Sequence, residues 1–146
     1  MARIKLTMPP LINFETSLPV RITDLNYGGH VGNDTILSII HEIRIQFLKK
    51  SGYTEMNLEG VGLIMSDVAI EFKQELFYGD IILASVAVTE FSRVGFELYY
   101  QLEKQMADKK TPVALAKTAM VCYDYSAKKI AVLPAPAKEK LSTPLH

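Results

Sequence analysis

Asp24-Leu-Asn-Tyr-Gly-Gly-His-Val-Gly-Asn33 separates two kinds of pattern in this chain. Before it, Ile12 to Ile22 reads as a first extended segment, with Pro19 marking an edge or a break because proline cannot donate to a sheet ladder. After it, apolar residues recur at helical spacing. Gly28, Gly29 and Gly32 make the connection from Thr23 to Gly32 rich in turns.

Ile36, Ile40, Ile43 and Phe47 share one face of the predicted helix, flanked by Leu37, Ile39, Arg44 and Leu48. Asp34, Ser38, Glu42 and Lys49 fall on the other face. Asn33 or Asp34 is expected to cap the helix by accepting from an unpaired backbone N–H, and Gly52 to end it. From Asn33 to Lys50 such a helix runs about 27 Å, enough to cross several strands.

A loop from Tyr53 to Val61 ends the helical pattern. Leu63 to Phe72, Ile81 to Phe91, Val94 to Lys104 and Val113 to Tyr125 then read as four long strands rich in Val, Ile, Phe and Tyr. Ser92-Arg93 is a tight link and Met106 to Pro112 a polar one, so consecutive strands are expected to pair antiparallel as a meander. In the third of these strands Val94, Phe96, Leu98, Tyr100 and Leu102 form a dry face, opposite Gly95, Glu97, Tyr99, Gln101 and Glu103. The fold class is α+β: one long helix wrapped by an antiparallel sheet of about five strands. A helix covers roughly 10 Å of a sheet about twice as wide, so a second subunit is expected over the remainder, as a homodimer or homotetramer.

The 146 residues are 49% hydrophobic and 22% charged, and 16 Lys+Arg balance 16 Asp+Glu. This is the profile of one globular domain, residues 1–146, with no repeat or linker. Balanced charge argues against nucleic acid as a partner, since that binding needs excess cations. Cys122 is the only cysteine, which excludes an internal disulfide and suits a reducing, cytoplasmic setting. Met1 to Pro10 carries no secretory pattern and no apolar run spans a bilayer, so no membrane association is expected.

Chemistry concentrates in the opening stretch. Asp24, Asn26 and His30 lie close together, glycines let backbone approach a ligand, and a helix N-terminus adds unpaired donors suited to a polarised carbonyl. His30 is the best base, Asp24 a group to orient its imidazole, and Asn26 a group to hold water or an acyl oxygen. The backbone from Gly28 to Gly32 offers N–H groups for an oxyanion. Asp67, mid-strand beside Leu63, Met65 and Ala69, is a second candidate carboxylate, ranked above Glu42. Arg93 and Lys73 are possible contacts for a phosphate-bearing carrier. His41 and His146 stand apart from His30, so no metal and no cofactor is expected.

The order Asp-x-Asn-x-x-Gly-His-Val-x-Asn, followed by a helix bearing Arg44 and then Tyr78-Gly79-Asp80 opening a strand, resembles the hotdog-fold thioesterases, in particular the 4-hydroxybenzoyl-CoA thioesterase-like group. The likeness runs from about Leu18 to Pro134. It implies hydrolysis of an acyl thioester, on CoA or on acyl carrier protein, by water at a site where two subunits meet. Tyr27, Gly28, Gly29, Val31, Gly32 and Asn33 are the expected substrate- and oxyanion-binding residues. Two departures stand out. Asn26 occupies the position of the group's catalytic aspartate, and an amide neither attacks nor takes a proton. The plant acyl carrier-protein thioesterases match at His30 but carry asparagine where this chain has Gly28.

Other readings compete. Asp24 and Asn26 are residue types that often only fix a turn, and Asn33 one that often only caps a helix. Asn26 also fits a non-catalytic acyl-CoA or fatty-acyl binding protein that kept the pocket and lost the chemistry. A purely structural oligomeric module would lack a pocket at the subunit boundary.

Overall fold

The computed structural model describes residues 2–145; His146 and Met1 lie outside the described residues. In chain order the elements are β1 (Phe14–Pro19), a single 3-10 turn (Ile22–Asp24), α1 (Asn33–Lys50), β2 (Gly62–Phe72), β3 (Ile81–Thr89), β4 (Gly95–Met106), β5 (Lys109–Asp124), β6 (Lys129–Ile130) and α2 (Ala135–Leu141).

The helix obeys its periodicity. Ile36, Ile40, Ile43, Phe47 and Leu48 are all buried and enter one core with the inner face of the sheet. Each such side chain contributes roughly 1.5–3 kcal/mol by leaving water. Gly52, at φ +81°, ends the helix in the left-handed region and donates to Lys49 O at 2.9 Å. The start differs from expectation: neither Asn33 nor Asp34 caps it. Gly32 holds the N-cap position and no side chain bonds there. A Cβ on Gly32 would stand 2.7 Å from Asp34 Oδ1, so a side chain there would have to displace that carboxylate.

The strand order is β1-β3-β4-β5-β2, all antiparallel, with β6 added to β5. The sheet lies over the long helix, as the resemblance implies. The expected meander is correct only for β3, β4 and β5. β2 does not pair with β3; it crosses to the far side and pairs with β5. The reason is the connection at residues 73–80. Lys73 and Gln74 donate to Val113 O, and Leu76 O accepts from Val31 N–H, so the chain is tied beneath the loop ahead of α1 instead of reversing as a hairpin.

Two links also differ. The segment Met106 to Pro112 is not an open loop: Met106 pairs with Lys109 across Ala107 (φ +55°) and Asp108. Pro112 fits into β5 because the register slips between Leu102 and Glu103, a bulge that relieves the missing N–H. The reversal near Ser92-Arg93 is wider than a two-residue link, running from Glu90 (φ +52°) to Gly95, whose carbonyl accepts from Ser92 N–H at 2.8 Å.

β4 alternates as its pattern predicts. Phe96, Leu98, Tyr100 and Leu102 are buried against the core, while Glu97, Tyr99, Gln101 and Glu103 are half-buried on the other face. Lys104 continues the buried row, an unusual place for an ammonium group. Among the described residues no helix is long and apolar enough to cross a membrane.

Candidate active site

Three segments build the site: the loop 24–32, the first turn of α1, and the connection 73–80. The loop folds on itself. Asn26 N–H donates to His30 O at 2.9 Å, Gly29 N–H to Asn26 O at 3.1 Å, and Gly29 sits at φ +83°. The Asn26 side chain accepts Gly28 N–H at 2.8 Å, a side-chain turn of the kind this residue favours. His30 then pairs with Phe77 in an isolated bridge, and Val31 N–H donates to Leu76 O at 2.9 Å.

This folding brings Asn26, Gly28 and His30 together. A Cβ on Gly28 would stand 3.1 Å from Asn26 Oδ1 and 3.6 Å from His30 Nε2. A side chain at this position would press on the Asn26 amide, which would have to give by a few tenths of an ångström. His30 Nδ1 lies 3.2 Å from Val31 O. A carbonyl only accepts, so this contact puts the proton on Nδ1 and leaves the Nε2 lone pair free. Nε2 faces Glu75, whose Oε1 is 4.0 Å away.

His30, Val31, Asn33, Ile36, Phe72, Lys73, Glu75 and Leu76 are among the residues lining a cleft of about 230 Å³. The backbone donors divide into two sets. Gly28, Gly29 and Val31 spend theirs within the fold, so they do not serve an oxyanion in this conformation. Gly32 N–H is turned toward Asp24 O by the bridge between Leu25 and Val31, whereas Asn33 and Asp34 N–H meet no protein acceptor among the described residues and sit at the positive end of α1. Tyr27, by contrast, projects wholly into solvent, and Val31 is buried in the core.

The remaining candidates lie elsewhere. Asp24 does not reach the imidazole: its carboxylate accepts Arg21 N–H at 2.8 Å and the Arg21 guanidinium at 3.2 Å, pinning the 3-10 turn. It opens instead on a separate cleft with Ser38, Ile39 and Glu42. Asp67 is not a carboxylate among apolar groups. A bulge between Met65 and Asp67 turns it out to solvent, where it accepts from Lys117 Nζ at 2.8 Å. That bond is the chief cause holding the Lys117 ammonium above its ordinary pKa. Lys73 borders the His30 cleft and is ion-paired with Glu71 at 3.2 Å. Arg93 follows β3, at the opposite end of that strand from the site, and its carbonyl accepts from Leu133 N–H. Asp80 of the Tyr-Gly-Asp motif works on backbone and Lys104, accepting from Phe77 N–H at 2.9 Å and Lys104 Nζ at 3.1 Å.

Glu75 is the residue that sequence reading missed. Nothing in its spacing ties it to a histidine so far upstream; only the bridge between His30 and Phe77 does. Larger hollows border Phe47 and Lys50 (about 340 Å³) and Arg44 and Met65 (about 590 Å³), and neither includes any residue of the loop. Among the described residues no three His, Cys, Asp or Glu side chains gather as metal ligands would.

Solved structures place this architecture. A 1,4-dihydroxy-2-naphthoyl-CoA thioesterase from Synechocystis is 23% identical, superposes with a TM-score of 0.78, and the match covers 88% of this chain and 94% of that one. The 4-hydroxybenzoyl-CoA thioesterase of Pseudomonas sp. strain CBS-3 is 15% identical at a TM-score of 0.77, covering 88% and 99%. A DHNA-CoA thioesterase from Staphylococcus aureus is 17% identical at 0.75, covering 87% and 86%. No curated protein matches the sequence. The fold is the hotdog. The chain belongs to the thioesterase-like superfamily, whose family model matches residues 20–141, and it is a thioester hydrolase of that group.

Proposed function

We propose that the substrate is an acyl-CoA, with acyl carrier protein the second candidate as carrier, and that water attacks the thioester in the His30 cleft. His30 Nε2 accepts the water's proton, and the N–H of Asn33, at the start of α1, receives the carbonyl oxygen as it becomes an oxyanion. Asn26 supports this by shaping the loop, since its carbonyl oxygen is bonded to Gly28 N–H. The observation that carries the reading is the free Nε2 of His30 opening on the same cleft as the start of α1. The CoA-thioester names of the structural neighbours support CoA as the first carrier to test.

The active unit in this reading is a homodimer joined along β2. Among the described residues that strand pairs only with β5, and past Leu63, whose N–H donates to Glu55 O at 2.7 Å, its outer edge carries no ladder. Met65, Val68 and Phe72 are exposed on it. A long apolar edge with unpaired backbone groups is a template for another strand, and a second β2 is its natural partner.

Steady-state release of thiol from acyl-CoAs and from the same acyl groups on carrier protein tests the carrier. Higher kcat/KM on CoA supports the reading; turnover on carrier protein alone reverses it, and saturable binding without turnover on either supports the acyl-binding alternative. Sedimentation of Val68→Lys tests the interface, with dissociation to monomer as the expected result.

A further inference from the structure

Glu75 holds a position that its surroundings fix more firmly than an exposed glutamate needs. The side chain is open to solvent, yet its own carbonyl accepts from Lys104 Nζ at 2.7 Å. Lys104 is buried, and its ammonium is divided between that carbonyl and the Asp80 carboxylate, with the Phe77 ring 5.3 Å away. The next residue, Leu76, is fully buried and bonded through its carbonyl to Val31 N–H. Phe77 N–H is held by Asp80. A buried cation carries a large desolvation cost and must be well paired; here it anchors the backbone of one cleft residue opposite His30.

The separation of the two side chains has a chemical meaning. At 4.0 Å, Glu75 Oε1 and His30 Nε2 are too far apart for a direct hydrogen bond. A water oxygen about 2.8 Å from each satisfies both, donating one hydrogen to the imidazole and one to the carboxylate. Its lone pairs then face away from the two acceptors. Both groups are acceptors in this state, because the Nδ1 proton is directed at Val31 O.

We propose that Glu75 is a catalytic residue, holding the attacking water jointly with His30 and supplying the carboxylate that Asn26 cannot. The proposal rests on the thioesterase reading above and deepens it. The water oxygen bonds to the acyl carbon as one of its protons passes to His30 Nε2. The carboxylate beside the new imidazolium favours that charged form, the role a triad aspartate performs from the other ring nitrogen. The tetrahedral intermediate then breaks its carbon–sulfur bond, and the proton on Nε2 passes to the departing sulfur. Free acid and thiol result, and the acid releases its remaining proton to solvent.

Glu75→Gln keeps the shape of an already exposed side chain and removes its charge, so the fold should survive. With acyl-CoA as substrate, kcat is expected to fall by about 10²-fold or more while KM stays within about threefold. Glu75→Asp should recover part of the loss. A kcat within about threefold of wild type in both Glu75→Gln and Glu75→Ala would overturn the proposal. An NMR titration of the His30 imidazole decides the pairing without turnover. The charged groups lining that cleft are Lys73 and Glu75, with Asp34 in the first turn of the helix behind Gly32. Removing the Glu75 charge should lower the imidazole pKa; an unchanged titration would show that the two groups do not act together. If wild type turns over no thioester, the broader reading fails, and the titration still reports on this pair.

Discussion

Inside the core, Arg44 Nη1 donates to the hydroxyl of Tyr100 at 3.2 Å. The hydroxyl continues to Thr118 Oγ1 at 2.7 Å, and Arg44 Nε donates to Glu55 Oε2 at 2.8 Å. Glu55 Oε1 in turn meets His41 Nε2 at 2.7 Å. A chain of polar groups thus runs from the surface of α1, under the helix, to the middle of β5. It ties the helix to β4, β5 and the loop after α1, and every member has a partner. Burial raises the Tyr100 hydroxyl above its ordinary pKa and outweighs the opposing pull of Arg44.

Arg44→Ala should therefore be severe. It strips partners from Glu55 and from a buried hydroxyl, and breaking a buried pair from one side costs about 3–5 kcal/mol. Urea unfolding of the variant measures this. A loss below about 1 kcal/mol would mean that water replaces the guanidinium without penalty.

Acid should weaken the same network. Burial opposes ionisation of Glu55, but the hydrogen bonds from Arg44 and His41 win and hold its carboxyl below the ordinary 4.5. A pKa depressed on folding contributes stability that is complete above 4.5 and lost as pH falls through the folded value. The stability gap between wild type and Glu55→Gln should be widest near neutrality and shrink as pH falls below 4.5. Urea midpoints taken across that range check it; a gap independent of pH would contradict it.

Cys122 should be inert while the protein is folded. Burial pushes its thiol up from 9.0 to about 11, which leaves about a hundredth of the usual thiolate, and the sulfur is enclosed as well. Maleimide labelling at about pH 8 should be slower than in urea by about 10²-fold or more. Equal rates would show that the end of β5 opens readily.

Local pattern carried most of the elements. The helix from Asn33 to Lys50 is legible because its apolar face repeats at 3.6 residues and Gly52 follows. The dry row of β4 is legible from simple alternation. Pairing order was not, because a strand's own residues do not say which neighbour it joins. Asp67 misled for the same reason: only the bulge and the edge position of β2 put it in water beside Lys117. In the site, the histidine and the glycine turn were visible in the sequence. Glu75 and the buried Lys104 behind it were not, since they meet the loop through contacts between distant segments.

The most direct test of the whole account compares thiol release from a panel of acyl-CoAs by wild type and by His30→Ala, alongside circular dichroism to show that both are folded. Wild type should turn over, and kcat of the variant should fall by about 10²–10⁴-fold. Turnover by the folded variant equal to wild type would contradict it.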